Sequence, residues 1–230
     1  MKPLPRAICF DAYGTLFDVY SVGECAENLF PGKGNALARM WRDKQVEYTR
    51  LRSMGQRYTS FWSITQDSLV YCGAALGLPL GEAEVSTLMS QYATLSGFPE
   101  VLGTLKRLKA AGLELAIHSN GDPEMLAKAV ASSGMEGVFE TVLSADAVKR
   151  YKIDAAVYQL ATDYFGCTAN DILFVSSNGW DICGAGWFGF QTFWVNRAGA
   201  PREELGVSPT YEAPELSAVA DLLCSVVTKQ

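Results

Sequence analysis

Short apolar runs alternate with helix-period segments along most of this chain, and the runs end in polar clusters. Five of them read as buried strands: residues 6–10, 113–118, 141–144, 171–176 and 192–195. Between the later runs the period changes. Val101, Leu102, Leu105 and Leu108 recur at helical spacing, with Gly112 as the stop. Pro123 opens a second helix carrying Met125, Leu126, Ala129 and Val130. Residues 155–165 carry a third apolar stripe, and residues 182–188 form a small-residue helix. Such alternation predicts an α/β fold, a doubly wound Rossmann-like parallel sheet with right-handed crossovers. The carboxyl ends of parallel strands lie on one side, so the polar clusters that close the runs should converge there.

Residues 17–97 interrupt this rhythm. They hold no convincing strand and read as helices over 21–29, 35–54, 61–76 and 82–95. The long one places Leu37, Met40, Trp41, Lys44, Tyr48 and Leu51 at i, i+3 and i+4 steps. The expected organisation is a catalytic core of residues 1–16 and 97–230, with residues 17–96 inserted after the first strand as a four-helix cap.

Charge and composition narrow the partners. The net charge of −6 comes without a basic cluster, which argues against nucleic acid and against an anionic membrane surface. Met1-Lys2-Pro3-Leu4-Pro5-Arg6 shows no signal-type apolar core, and no stretch has the length of a membrane span. The six cysteines are scattered without metal spacing, and reduced thiols in a cytoplasmic protein are the expected state. A single histidine, His118, rules out a multi-histidine metal site.

Asp11 closes the first run ahead of Gly14 and Thr15, where a carboxylate faces the crevice and can serve as a covalent nucleophile. His118-Ser119-Asn120-Gly121-Asp122 follows the second run, Lys152 precedes a helix, and Ser176-Ser177-Asn178-Gly179-Trp180-Asp181 follows the fourth. Serine and asparagine at such positions cap helices and donate to anions equally well.

These four clusters, in this order, resemble the motifs of the haloacid dehalogenase superfamily, and the resemblance runs the length of the chain. Phe10-Asp11-Ala12-Tyr13-Gly14-Thr15-Leu16-Phe17-Asp18-Val19, the Ser176 to Asp181 cluster and Trp41-Arg42-Asp43-Lys44-Gln45-Val46-Glu47-Tyr48 are similar to the L-2-haloacid dehalogenases. The superfamily's phosphatases carry an acid two residues after the nucleophile and bind Mg²⁺ with a carboxylate in the last motif. Here Tyr13 stands at the first place and Ser176-Ser177 at the usual Gly-Asp pair. Halide leaves as a stable anion and needs no proton, so this pattern suits carbon–halogen cleavage better than phosphoryl transfer.

The resemblance implies hydrolysis of short L-2-haloalkanoates to 2-hydroxyalkanoates with inversion, through an ester on Asp11, with no metal and no cofactor. Lys152 supplies positive charge beside Asp11; Thr15, Ser176 and Asn178 hold its carboxylate; Asp181 positions or activates the water. Ser119 binds the substrate carboxylate and Arg42 the departing halide, with Asn120 and either Trp180 or Phe61 completing the cradle. Tyr158 supports the substrate end, and Tyr13, Val46, Phe61 and Trp180 wall the pocket. The expected assembly is a homodimer through cap helices, with Leu69, Tyr71 and Leu76 as interface or core.

Blander readings stand beside these. Tyr158 and Trp180 suit core packing, and His118 reads as a packed, hydrogen-bonded imidazole more readily than as an acid or base. Ile153 stands where many relatives have proline at a helix start. Asp43 would disfavour anionic substrates if it faced the cleft. The rival functions are a Mg²⁺-dependent small-molecule phosphatase and a non-catalytic carboxylate binder.

Overall fold

The structure is a computed structural model and describes residues 4–227. Residues 1–3, part of the leading stretch read above for a signal-type core, lie outside the described residues. Strands β1 (Ala7–Phe10), β2 (Glu114–Ser119), β3 (Thr141–Ser144), β4 (Ile172–Ser176), β5 (Gln191–Val195) and β6 (Tyr211–Ala213) form one sheet in the order β3-β2-β1-β4-β5-β6. Every neighbouring pair is parallel. The order reverses at β1, with β2 on one side and β4 on the other, and a crevice opens at such a switch point. Phe10 is in register with both Ile117 and Val175, which brings Asp11, Ser119 and Ser176 to one end of the sheet.

Strand alternation sorts the core into two layers. Ile8 and Phe10 pack with residues of helices α5 (Val101–Ala110), α6 (Pro123–Ser132) and α9 (Ser217–Val227). Ala7 and Cys9 pack with residues of α7 (Ala155–Phe165) and α8 (Gly179–Phe188). Coverage of both faces is why β1, β4 and β5 are buried along their whole length. β3 corrects the expectation of a buried strand: it lies at an edge, and Val142 is 41% exposed. β6 and α9 escaped the sequence reading; β6 is three residues long, too short to show a period, and Pro209 and Pro214 flank it.

Between β1 and α5 the described residues form α1 (Val22–Leu29), α2 (Gly34–Met54), α3 (Phe61–Ala75) and α4 (Glu82–Ala93), with only isolated bridges at Tyr13, Phe17 and Gly97. The buried face of α2 is Leu37, Ala38, Trp41, Gln45 and Thr49, rotated from the expected stripe, and Leu51 is exposed. Gln45 and Thr49 tolerate burial because each is hydrogen-bonded. Leu69 is core, whereas Tyr71 is exposed.

Two core residues fasten the start of α3. The Asp122 carboxylate accepts from the backbone N–H groups of Phe61 and Trp62 at 2.9 and 2.7 Å, satisfying donors that the helix cannot. The Tyr151 hydroxyl donates to the Thr59 carbonyl at 2.6 Å. These contacts bring Phe61 over the strand ends.

Candidate active site

Asp11 is 5% exposed, and four side chains donate to its carboxylate. Oδ2 accepts from Thr15 Oγ1 at 2.9 Å, Asn178 Nδ2 at 2.8 Å and, more loosely, Ser176 Oγ at 3.4 Å. Oδ1 accepts from the Lys152 ammonium at 3.1 Å. Thr15 is fixed in turn by accepting from the Ser177 backbone N–H at 2.8 Å. Ser177 Oγ donates to the Gly14 carbonyl at 2.5 Å, so it ties the two loops together.

Lys152 also donates to Asp181 Oδ2 at 2.8 Å, with both side chains buried. Its backbone N–H donates to Asn120 Oδ1 at 2.9 Å, the placement found for Asn120. Burial works against the Lys152 charge, but Asp11 and Asp181 together outweigh it and raise its pKa above the ordinary lysine value. Burial pushes the Asp181 carboxyl up to about 6, helped by Asp11 and opposed by Lys152. The Tyr158 hydroxyl donates to Asp181 Oδ1 at 2.7 Å.

Arg42 reaches the site from α2. Nη2 donates to the Tyr13 carbonyl at 3.1 Å and to Asn178 Oδ1 at 3.3 Å, and Nη1 donates to Gln45 Oε1 at 2.9 Å. The Tyr13 ring lies 5.3 Å from Phe61 and 5.7 Å from Tyr92, stacked on the latter. Burial holds the Tyr13 phenol pKa well above its usual value. A cleft of about 450 Å³ reaches Gly14, Arg42, Ser177 and Asn178.

The model of the haloacid dehalogenase-like hydrolase family matches residues 5–189, which includes every residue named in this site. The chain belongs to that family. It is 47% identical over 218 residues to an (S)-2-haloacid dehalogenase of Pseudomonas sp. (strain YL), covering 94% of each chain. It is 42% identical to haloacetate dehalogenase H-2 of Moraxella sp. (strain B), covering 95% of this chain and 97% of the relative. A crystal structure of an L-2-haloacid dehalogenase at 53% identity superposes with a TM-score of 0.94, covering 96% of this chain and 100% of the other. The Xanthobacter autotrophicus L-2-haloacid dehalogenase with chloropropionic acid covalently bound, at 35% identity, superposes with a TM-score of 0.89 over 96% and 99% of the two chains. These relatives place the chain in the L-2-haloacid dehalogenase branch of the haloacid dehalogenase-like hydrolases.

Within this family site, Asp11, Thr15, Lys152, Ser176, Asn178 and Asp181 form one hydrogen-bonded cluster. Tyr13 and Phe61 stack beside it. Ser119 Oγ is buried and accepts from the Gly121 N–H at 3.1 Å. Val46 is half-buried one turn beyond Arg42.

Other residues lie around this cluster. Tyr158 is fully buried beneath Asp181, packed on His118 and Phe174, so it reaches the site through Asp181. Trp180 is half-buried and lies under the Arg50 guanidinium at 5.1 Å. Ile153 precedes the Asp154 N-cap of α7, outside the helix. Asp43 is exposed and close enough to Cys72 to act on that thiol. His118 is the packed imidazole expected: Nε2 meets the Val157 carbonyl at 2.8 Å, and burial lowers its pKa to about 3, so it is neutral near pH 7.

Gln45 and Tyr92 were missed by sequence reasoning. Gln45 sits one turn after Trp41 on the buried side of α2, and a polar residue on that face was the available signal.

Proposed function

We propose that this hydrolase cleaves the carbon–halogen bond of short L-2-haloalkanoates, with inversion at C2, through an aspartyl ester and without a metal. The observation that carries the reading is the asymmetry of Asp11. Oδ2 is occupied by three donors, while Oδ1 meets Lys152 alone and keeps a lone pair for attack. Oδ1 bonds to C2 as the C–X bond breaks, and halide leaves with the electron pair. Water then adds to Asp11 Cγ while Asp181 takes its proton. The Cγ–O bond to the substrate breaks, and Asp181 returns the proton to the departing 2-hydroxyalkanoate. A second water proton goes to solvent, matching the halide. The Xanthobacter relative with chloropropionic acid covalently bound supports this course.

Each remaining residue has a part. Arg42 carries five N–H donors; Gln45, Tyr13 and Asn178 take three, Tyr92 lies within hydrogen-bond reach of the guanidinium, and what remains is offered to halide. Ser119 accepts from Gly121, so its hydroxyl proton can go to the substrate carboxylate. Asn120 and Phe61 complete the halide side, and Tyr13, Val46 and Phe61 form the wall. Trp180 holds α2 against α8 through Arg50.

The phosphatase reading is disfavoured by Tyr13, whose buried phenol is too weak an acid to replace a carboxylic acid on a leaving oxygen. Donor chemistry disfavours it too: Ser177 stands at the usual Gly-Asp pair and spends its hydroxyl on the Gly14 carbonyl.

Residues 1–16 with 97–230 as core and 17–96 as cap belong to this reading, as does a homodimer in the cytoplasm. Exposed Leu51, Met54, Val70 and Tyr71 on α2 and α3 support the dimer, and free Cys9, Cys25, Cys72, Cys167 and Cys183 support the compartment. Among the described residues no helix is long and apolar enough to cross a membrane.

The test is halide release from fluoro-, chloro- and bromoacetate and both 2-chloropropionate enantiomers in EDTA. Release from chloroacetate and the S enantiomer is expected. Phosphate release from phosphomonoesters with Mg²⁺, without halide release, would assign the phosphatase class. Binding without turnover would assign the non-catalytic one.

A further inference from the structure

Gln45 is 1% exposed, yet it lies on the face that α2 turns to α3 and α4. A buried amide costs stability unless its hydrogen bonds are made, and this one is closely matched. Nε2 donates to Thr65 Oγ1 at 2.6 Å, and Thr65 donates onward to the Phe61 carbonyl at 2.7 Å. Oε1 accepts from Arg42 Nη1 at 2.9 Å and from the Tyr92 hydroxyl at 3.1 Å. The Tyr92 ring in turn stacks on Tyr13, whose carbonyl accepts from Arg42.

Gln45 therefore stands between the Arg42 guanidinium and two residues of the aromatic wall. Its amide orientation is fixed, because a flip would turn an NH₂ toward Arg42 and lose two acceptor contacts. Without Gln45, Nη1 would lose its acceptor, while the contacts to Tyr13 and Asn178 both run through Nη2 and Tyr92 stays beside the guanidinium.

Building on the dehalogenase reading above, we infer that Gln45 is a positioning residue for halide departure, aiming the Arg42 donors at the leaving group. It touches no reacting atom and acts through Arg42. A better leaving group needs less help, so misaimed donors should slow chloride expulsion more than bromide expulsion. A purely structural role would slow both alike.

The experiment compares kcat and KM for chloroacetate and bromoacetate in wild type and the variants Gln45→Met and Gln45→Glu. Methionine keeps the length and removes every hydrogen bond; glutamate keeps the acceptor for Arg42. In Gln45→Met, kcat for chloroacetate should fall by about ten- to a hundredfold, the cost of a misplaced catalytic group. KM should change less, and the bromo-to-chloro ratio of kcat should rise severalfold. Gln45→Glu should restore that ratio toward the wild-type value, and it stands as the test alone, by the same ratio, if Gln45→Met does not fold. A Gln45→Met ratio equal to wild type, or a Gln45→Glu ratio shifted as far as that of Gln45→Met, overturns the inference and leaves the dehalogenase reading intact. No halide release by wild type overturns both.

Discussion

The Lys152 ammonium lies 3.1 Å from Asp11 Oδ1, with both side chains buried at the end of the sheet's two central strands. Asp181 completes the group at 2.8 Å from the same ammonium, so one cation is shared by two carboxylates. Replacing Lys152 by Met leaves two buried carboxylates without a counter-charge. Chemical denaturation should show a loss of about 3–5 kcal/mol, the usual result of breaking a buried pair on one side. Because the folded pKa of Lys152 is raised, its contribution is present below the ordinary lysine value. It is lost as pH climbs through the folded value, so the wild type should weaken in strong alkali.

Arg42→Lys keeps the charge and loses the fork that meets Gln45, Tyr13 and Asn178 together. Steady-state kinetics on chloroacetate should show kcat/KM down by at least about tenfold, equivalent to about 1.4 kcal/mol of transition-state stabilisation.

In the proposed hydrolytic step Asp181 must be ionised to take a proton from water, and burial raises its pKa to about 6. The kcat profile should therefore fall on the acid side near that pH. The Tyr158 hydrogen bond lowers this pKa, so Tyr158→Phe should move the acid limb to higher pH. An unmoved limb would assign the titration to another group.

A methyl group on Gly121 would meet Tyr13 Cε2 at 2.7 Å and its hydroxyl at 3.1 Å. Gly121→Ala should therefore push the Tyr13 ring off its stack. Overpacking of this kind costs about 1–3 kcal/mol in thermal or denaturant unfolding, with a loss of activity alongside.

His118 should stay neutral from pH 5 to 8, visible as imidazole resonances that do not titrate by NMR. Its folded pKa of about 3 lies below the unfolded value near 6.5. The unfolded chain thus binds the extra proton first, and this site's contribution to stability is lost as pH falls from the upper value to the lower.

Period and strand-end chemistry made the parallel sheet, the Asp11 loop and the Lys152–Asp181 cluster legible in the sequence. Asp11, Thr15, Ser176 and Asn178 lie within a few residues of strand ends, where register alone brings them together. What periodicity hides is rotation about a helix. The α2 stripe read from Leu37 to Leu51 missed Gln45, because a hydrogen-bonded amide is buried for reasons hydropathy does not score. Long-range partners were hidden too: nothing in the letters pairs Arg50 with Trp180 or Asp122 with the start of α3. Tyr158 read as either substrate support or core, and it is core with its hydroxyl on Asp181.

The central claim is that Asp11 Oδ1 attacks carbon and that water then attacks Asp11. A single turnover of (S)-2-chloropropionate by excess enzyme in ¹⁸O-water tests it most directly. The account predicts ¹⁸O in the peptide that contains Asp11 and ordinary oxygen at the hydroxyl of the product. Label in the product hydroxyl, with Asp11 unlabelled, would contradict it, because water would then have attacked the substrate directly.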